Sequence, residues 1–339
     1  MRVSRTPLAL LSQPYDGRSA TPYTDMDFYQ NPGTSAYRPG FDVDRLRERH
    51  GVDYVSGWLV TTVRETADGV EVTAVSRADR TSRVFTADSV VLAAGALGSA
   101  RIALRSGLAR QSDGAPASRV PLMCSPYAQI VAVQPALVGR VLRDRRHSMG
   151  QLVMALEDAS DPSVVPLASI LSYRSLLLTR LMREAPLPVR QSRAFFHALQ
   201  SGLVIAGVFF PQKLADAEAQ GWLEPDAASP TGDRFVLENR SRGDARRAEA
   251  RVLATYRTGL RALGAVPLRT VRLQTGASIH YGGTLPFGVS TDAATGRLAG
   301  CRRIFVGDGS PFHMVPGRGI TLTLMAYADW VAERVAEGA

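Results

Sequence analysis

The stretch VVLAAGALGSARIAL, Val90 to Leu104, restricts the possible folds of this chain more than any other. An apolar run, a glycine turn and a helical pattern follow one another, the local order of a buried strand feeding a helix in a parallel α/β unit. Taken alone, it suits the start of a nucleotide-binding domain. Its glycines, Gly95 and Gly98, are however spaced G-x-x-G, whereas the turn that lets a backbone approach a pyrophosphate is G-x-G-x-x-G.

The flanking sequence shows where this unit belongs. Residues 1 to 40 are rich in Pro, Gly, Ser, Thr and Tyr without a sustained period, and read as an N-terminal arm. FDVDRLRER, from Phe41, is helical in pattern. Alternating runs at Tyr54 to Val63 and Val70 to Val75 suit a meander turning at Ala67-Asp68-Gly69, which feeds Val90 to Ala94 as a central strand covered on both faces. From about Val120 the rhythm changes. QIVAVQPALV, QLVMALED, LVIAGVFFP and RFVLENR read as strands, and Leu167 to Leu203 as largely helical with a break at Pro186 and Pro188. DARRAEARVLATYRTGLRALGA reads as an amphipathic helix stopped by Gly264. This block is α+β and lacks βαβ order. The end restores the first character: CRRIFVGDGS is a strand ending in Gly307-Asp308-Gly309, and ITLTLMAYADWVAERVAEG is a helix with Leu324, Ala328, Val331 and Val335 on one side. The expected fold class is α/β plus α+β. Residues 41–120 and 265–339 are expected to form a Rossmann-like nucleotide-binding domain, split by an inserted α+β domain at 121–264.

Composition removes other classes of function. With 339 residues, 45% of them hydrophobic, the chain can bury two cores. Its formal charge of +9 comes almost wholly from arginine, Lys213 being the single lysine. The basic clusters, Arg143 to Arg146 and Arg242 to Arg251, are interrupted by acids, the pattern of solvated surface and not of a nucleic-acid footprint. Cys124 and Cys301 are too few for a disulfide framework or a zinc site. No stretch reaches the about 20 apolar residues of a bilayer span, and the N-terminus lacks a secretory apolar core. The reading is a cytoplasmic protein without metal, nucleic acid or membrane partner.

Three segments, in order, carry a resemblance. VVLAAGALGSARIALRSG, SIHYGGTLPFG and RIFVGDGSPFHMVPGRGITLTLMAYADWVAERV together resemble the C-terminal two-thirds of the glucose–methanol–choline (GMC) flavin oxidoreductases, over roughly residues 40 to 339. The resemblance implies an FAD-linked oxidase or dehydrogenase acting on a CH–OH group, with a sugar-like or natural-product alcohol as substrate. It places Val60 near the adenine and Ala94, Gly95, Gly98 and Ser99 along the flavin. Gly307, Asp308, Gly319 and Ile320 also fall at the cofactor. His280 maps onto the family histidine, the base that takes the hydroxyl proton while hydride passes to the flavin. Tyr281, His313 and Arg318 are expected to line the substrate. Each has a plainer reading: His280 as a structural hydrogen-bonder, Asp308 as an N-cap or Asx turn, His313 as structural. His50, His147 and His197 carry no expected function, and Phe195, Phe196, Phe209 and Phe210 read as core.

Two departures shape the expectation. Nothing before Val90 supplies the family's first strand and G-x-G-x-x-G turn, which puts FAD binding by this chain alone in question. Gly319 stands where the family usually has a second His or Asn, so the substrate oxygen loses an anchor worth a few kcal/mol in the transition state unless Arg318 or Thr321 compensates. Three readings follow: a GMC-type oxidoreductase lacking an N-terminal portion; a shortened homologue using its pocket, without FAD, for acid/base chemistry or ligand binding; and a non-catalytic partner completing another flavoprotein. The gap beside Val90 to Ala94 would be covered by residues 1 to 40, by a second copy, or by a separate chain.

Overall fold

The computed structural model describes residues 1–6, 8–22, 33–140, 150–156, 165–172, 188–212, 217–241, 245–274 and 276–338. Arg143 to Arg146, His147, Lys213 and part of the Arg242 to Arg251 cluster lie outside the described residues. In chain order the first elements are β1 (Arg2–Arg5), α1 (Pro39–His50), β2 (Trp58–Glu65), β3 (Val70–Ser76), β4 (Ser82–Ala87), β5 (Val90–Leu92) and α2 (Gly95–Arg105). The middle contains β6 (Arg119–Cys124), β7 (Tyr127–Val133), β8 (Leu152–Ala155), β9 (Leu167–Ser172), α3 (Val189–Gln200), β10 (Leu203–Phe209), β11 (Ala217–Pro225), β12 (Asp233–Ser241) and α4 (Ala245–Ala262). The last are β13 (Val266–Arg272), β14 (Tyr281–Gly282), β15 (Ile304–Val306) and α5 (Thr321–Gly338). The result is a mixed α/β fold with several antiparallel sheets, divided into two compact units.

The first unit comprises Met1–Tyr54, Tyr127–Phe209 and Arg247–Gln274. Its sheet has the order β1-β8-β9-β10-β7-β13, every pairing antiparallel. The alternation in YAQIVAV buries Ala128, Ile130 and Ala132 on one face, as a period of two requires. Leu253, Tyr256 and Leu260 form the buried stripe of α4, and the Tyr256 hydroxyl donates to Pro166 O at 2.6 Å and Met154 O at 3.2 Å. Gly264, at φ +79, ends the helix in the left-handed region where a Cβ is costly. One expectation is corrected here. Leu167–Ser172 is a strand, because its alternate residues Ala168 and Ile170 are buried between β8 and β10; the helix begins only at Val189, with 173–187 outside the described residues. Among the described N-terminal residues, β1 extends this sheet through β8, with Arg2 opposite Ala155 and Arg5 opposite Leu152.

The second unit comprises Val55–Pro126, Phe210–Arg246 and Thr275–Ala339. It holds the meander β2-β3-β4, the sheet β12-β11-β6-β14 and the parallel pair β15-β5. The meander turns where expected: the Thr66 amide donates to Gly69 O at 2.8 Å, and the Gly69 amide to Thr66 Oγ1 at 3.1 Å. One core, including Val63, Val70, Leu92, Ile102, Leu285 and Ile304, joins the meander, α2 and the parallel pair. Strand β5 is shorter and more open than a central strand. It spans three residues, pairs among the described residues only with β15, and leaves Val91 42% exposed. On α5, Leu324, Val331 and Val335 are at least partly buried, while Ala328 is exposed and Tyr327 and Trp330 turn inward instead. Among the described residues, no helix is long and apolar enough to cross a membrane.

Candidate functional site

The three segments singled out in the sequence meet in the second unit. Ile304, Phe305 and Val306 pair in parallel with Val90, Val91 and Leu92, so β5 and β15 end side by side with α2 and the 307–310 turn just beyond them. The Gly307 amide continues the ladder to Leu92 O at 2.9 Å. A side chain at Gly307 would put a Cβ 2.7 Å from Val91 Cγ1, so any larger residue there would have to displace the Val91 side chain. The middle segment crosses the same turn: the Gly283 amide donates to Gly309 O at 3.1 Å and the Leu285 amide to Ser310 O at 2.9 Å. Thr284, fully buried, closes the triangle by donating its hydroxyl to Ala96 O at 2.8 Å.

Asp308 sits at the centre of this junction. It is 8% exposed; its Oδ2 accepts the Ser99 hydroxyl at 2.5 Å, and its Oδ1 accepts the Ser310 amide at 2.8 Å and the Ser310 hydroxyl at 2.5 Å. The bond to the amide two residues on is an Asx turn. Of about four lone-pair positions on a carboxylate, three are therefore engaged by the chain itself. Ser99 also accepts the Ala94 amide at 3.2 Å, so one hydroxyl ties the start of α2 to the Gly-Asp turn.

The open end of the junction is the start of α2. Ala94 and Gly95 are exposed, Gly95 has φ +74, and no side chain caps the helix. Its first amides thus lack intrahelical partners and suit a carbonyl or anionic oxygen. Gly98 lies one turn further, where a Cβ would come 2.9 Å from Ala94 Cβ. Gly319 is exposed with open space about it, beside exposed Arg318, and Ile320 is buried ahead of α5. Val60 is part of the meander, packed against the shared core.

His280 stands just before β14, whose Tyr281 pairs with Cys124 of β6. Burial lowers its pKa below the usual 6.5, favouring neutral imidazole near neutrality. Its amide donates to Ser278 Oγ at 3.4 Å, and Ser278 Oγ lies 3.6 Å from Cys124 Sγ. The Tyr281 hydroxyl donates to Gly276 O at 2.8 Å, and burial, then the neighbouring Cys124, raises its pKa. His313 is exposed, its ring edge-on to Phe287 at 5.8 Å.

Residues outside the three segments complete the scaffold. The Cys124 amide donates to Gln212 Oε1 at 2.8 Å, the Gln212 amide to Val315 O at 2.9 Å, and the Ser125 hydroxyl to Pro316 O at 2.8 Å. Nothing in FFPQ distinguishes Gln212, because its partners are 88 and 103 positions away in sequence.

Matching the sequence against family models and curated proteins gives no match. Solved structures do match. Pyridoxine 4-oxidase from Mesorbium loti aligns with 91% of this chain and 64% of its own length, at 18% identity and a TM-score of 0.57. An FAD-dependent oxidoreductase from Chaetomium thermophilum aligns with 87% and 63%, at 16% identity and 0.54. A formate oxidase variant from Aspergillus oryzae aligns with 86% and 62%, at 14% identity and 0.53. The fold is thus shared with FAD-dependent oxidoreductases of the GMC type. The chain spans less than two thirds of the length of these structures.

Proposed function

We propose that this chain serves as a GMC-type oxidoreductase, oxidising a CH–OH donor with FAD as hydride acceptor. The observation that carries the reading is the junction of residues 94–99, 283–285 and 307–310 at the uncapped start of α2, with His280 three residues ahead of Gly283 in the sequence, on a fold shared with an FAD-dependent oxidoreductase. The residues fit such a group: open amides at Gly95 suit a ring oxygen, and Asp308 keeps an acceptor position for a hydroxyl. In this reading Ala94, Gly95, Gly98 and Ser99 face the isoalloxazine, Gly307, Asp308, Gly319 and Ile320 its linker side, and Val60 the adenine side. Bound FAD supplies the hydride acceptor that no amino-acid side chain provides.

The remaining chemistry belongs to the chain. His280, kept neutral by burial, accepts the substrate hydroxyl proton at a ring nitrogen. Tyr281 and His313 border the alcohol, and Arg318 offers a cation for the oxygen as its proton leaves. Residues 41–120 and 265–339 make up the cofactor-facing part and 121–264 the substrate-facing part. A second reading, in which the chain completes another flavoprotein or receives a strand from a separate chain, is favoured by the single paired edge of β5 among the described residues.

The deciding measurement is an absorption spectrum of the purified chain titrated with FAD. A protein-bound flavin spectrum at near-stoichiometric occupancy, bleached anaerobically by an alcohol substrate, is expected. His280→Asn should retain the bound flavin and slow its bleaching by about 10²–10⁴-fold. A folded chain that ignores FAD would remove the oxidoreductase reading for this polypeptide.

A further inference from the structure

We infer that Gln212 is a positioning residue for the candidate base, locking the His280 segment and the 315–320 loop onto one strand end. The inference rests on the reading of His280 as the base, but its evidence is geometric. Three segments distant in sequence converge at Cys124 and Ser125, the end of β6 and the residue after it. The Gln212 side-chain oxygen accepts the Cys124 amide at 2.8 Å, and the Gln212 amide donates to Val315 O at 2.9 Å. One residue thereby bonds through its side chain to the strand that carries β14, and through its backbone to the loop that leads into Arg318 and Gly319.

From Cys124 the linkage reaches His280 by two routes. Cys124 faces Tyr281 in the β6–β14 register, fixing the residue next to His280. Its sulfur is 3.6 Å from Ser278 Oγ, which in turn accepts the His280 amide at 3.4 Å. Ser125 repeats the arrangement on the loop side by donating its hydroxyl to Pro316 O at 2.8 Å. Cys124, Ser125 and Ser278 are all nearly inaccessible to solvent, so water cannot readily replace a lost partner there. Strand β14 is only two residues long. So short a ladder depends on its neighbours to hold a side chain within the tolerance of a proton transfer.

The test compares Gln212→Met, which keeps length and bulk but removes the acceptor, with Gln212→Glu, which retains an acceptor oxygen. Both are made in the full chain carrying ring-labelled histidine, with the His280 resonance identified by His280→Asn. The wild type is expected to show one sharp His280 ring signal at fixed pH. In Gln212→Met that signal should move or split, and exchange of the His280 and Cys124 amides should accelerate about 2- to 10-fold, the loss of one hydrogen bond. Gln212→Glu should restore both. A cooperatively melting Gln212→Met with an unchanged His280 signal overturns the inference, as does a Gln212→Glu indistinguishable from Gln212→Met. Should Gln212→Met not fold, Gln212→Asn, which keeps an amide but withdraws its oxygen from Cys124, supplies the same reading: it must perturb the His280 signal, and an unaltered signal is again decisive against. All of this is read without flavin, so a chain that fails to bind FAD defeats the proposed function and leaves this result standing on its own.

Discussion

At the residue scale, the proposed chemistry turns on what burial and hydrogen bonding do to two side chains. His280 has its pKa lowered by burial, so its neutral form persists to lower pH than for an exposed imidazole. The sign follows directly. Turnover by neutral His280 should be full above the midpoint and fall on acidification through a value below 6.5, which a pH profile of flavin reduction by substrate would read. A midpoint at or above 6.5 would mean that His280 is exposed or is not the base. Asp308 differs, because it is engaged inside the chain. Ser99→Ala removes a hydroxyl donated to a buried carboxylate and should cost about 1.5–3 kcal/mol in urea denaturation, with the Asx turn to Ser310 left in place. A loss within experimental error would make the Ser99 bond incidental.

At the element scale, α2 is held at both ends by different means. Its start is tied to the Gly-Asp turn and to Thr284, whereas its end is clamped to the β11–β12 hairpin. Arg101 Nη2 donates to Asp233 Oδ1 at 2.8 Å and Arg105 Nε to Asp233 Oδ2 at 2.5 Å. Burial would raise the Asp233 pKa, but the two guanidinium groups outweigh it and hold the carboxyl below its ordinary value. Because the folded-state pKa is depressed, the stabilisation is complete above the ordinary 3.8 and is lost as pH falls through the lower folded value. Asp233→Asn should therefore lower stability at pH 7 by about 1–3 kcal/mol and flatten the acid limb of the denaturation curve. An unchanged acid limb would place the acid sensitivity elsewhere. The same scale explains the misread segment 167–172: LASILS is short and apolar, and only its neighbours β8 and β10 decide between strand and helix.

At the scale of the whole molecule, the two units make different predictions. All the hydrogen-bonded links among the candidate cofactor segments fall in the second unit. FAD at 100 times its Kd should stabilise its binding state by about 2.7 kcal/mol. In hydrogen exchange the added protection should centre on amides at 94–99, 283–285 and 307–310. Protection confined to the six-stranded sheet of the first unit would refute the assignment of these segments to the cofactor.

Much of the local structure was legible because it depends on neighbours in sequence. The turn at Ala67-Asp68-Gly69 follows from turn chemistry between alternating runs, and α4 with its Gly264 stop from a 3.6-residue period and a left-handed glycine. The ordered trio of VVLAAGALGS, IHYGGT and VGDGS likewise pointed to the fold that the solved structures share. The partners of those segments were not legible. The Ser99–Asp308 bond spans 209 positions, the Gln212–Cys124 bond 88, and neither leaves a periodic trace. The addition of β1 to the sheet of the first unit, and the single paired edge of β5 among the described residues, belong to the same class. The sequence by itself determined the turns, the amphipathic helices and the glycine positions, because steric limits and side-chain periodicity act over a few residues. Only the tertiary structure decided which buried donor meets which acceptor, because that depends on how strands distant in sequence pair and where their ends meet.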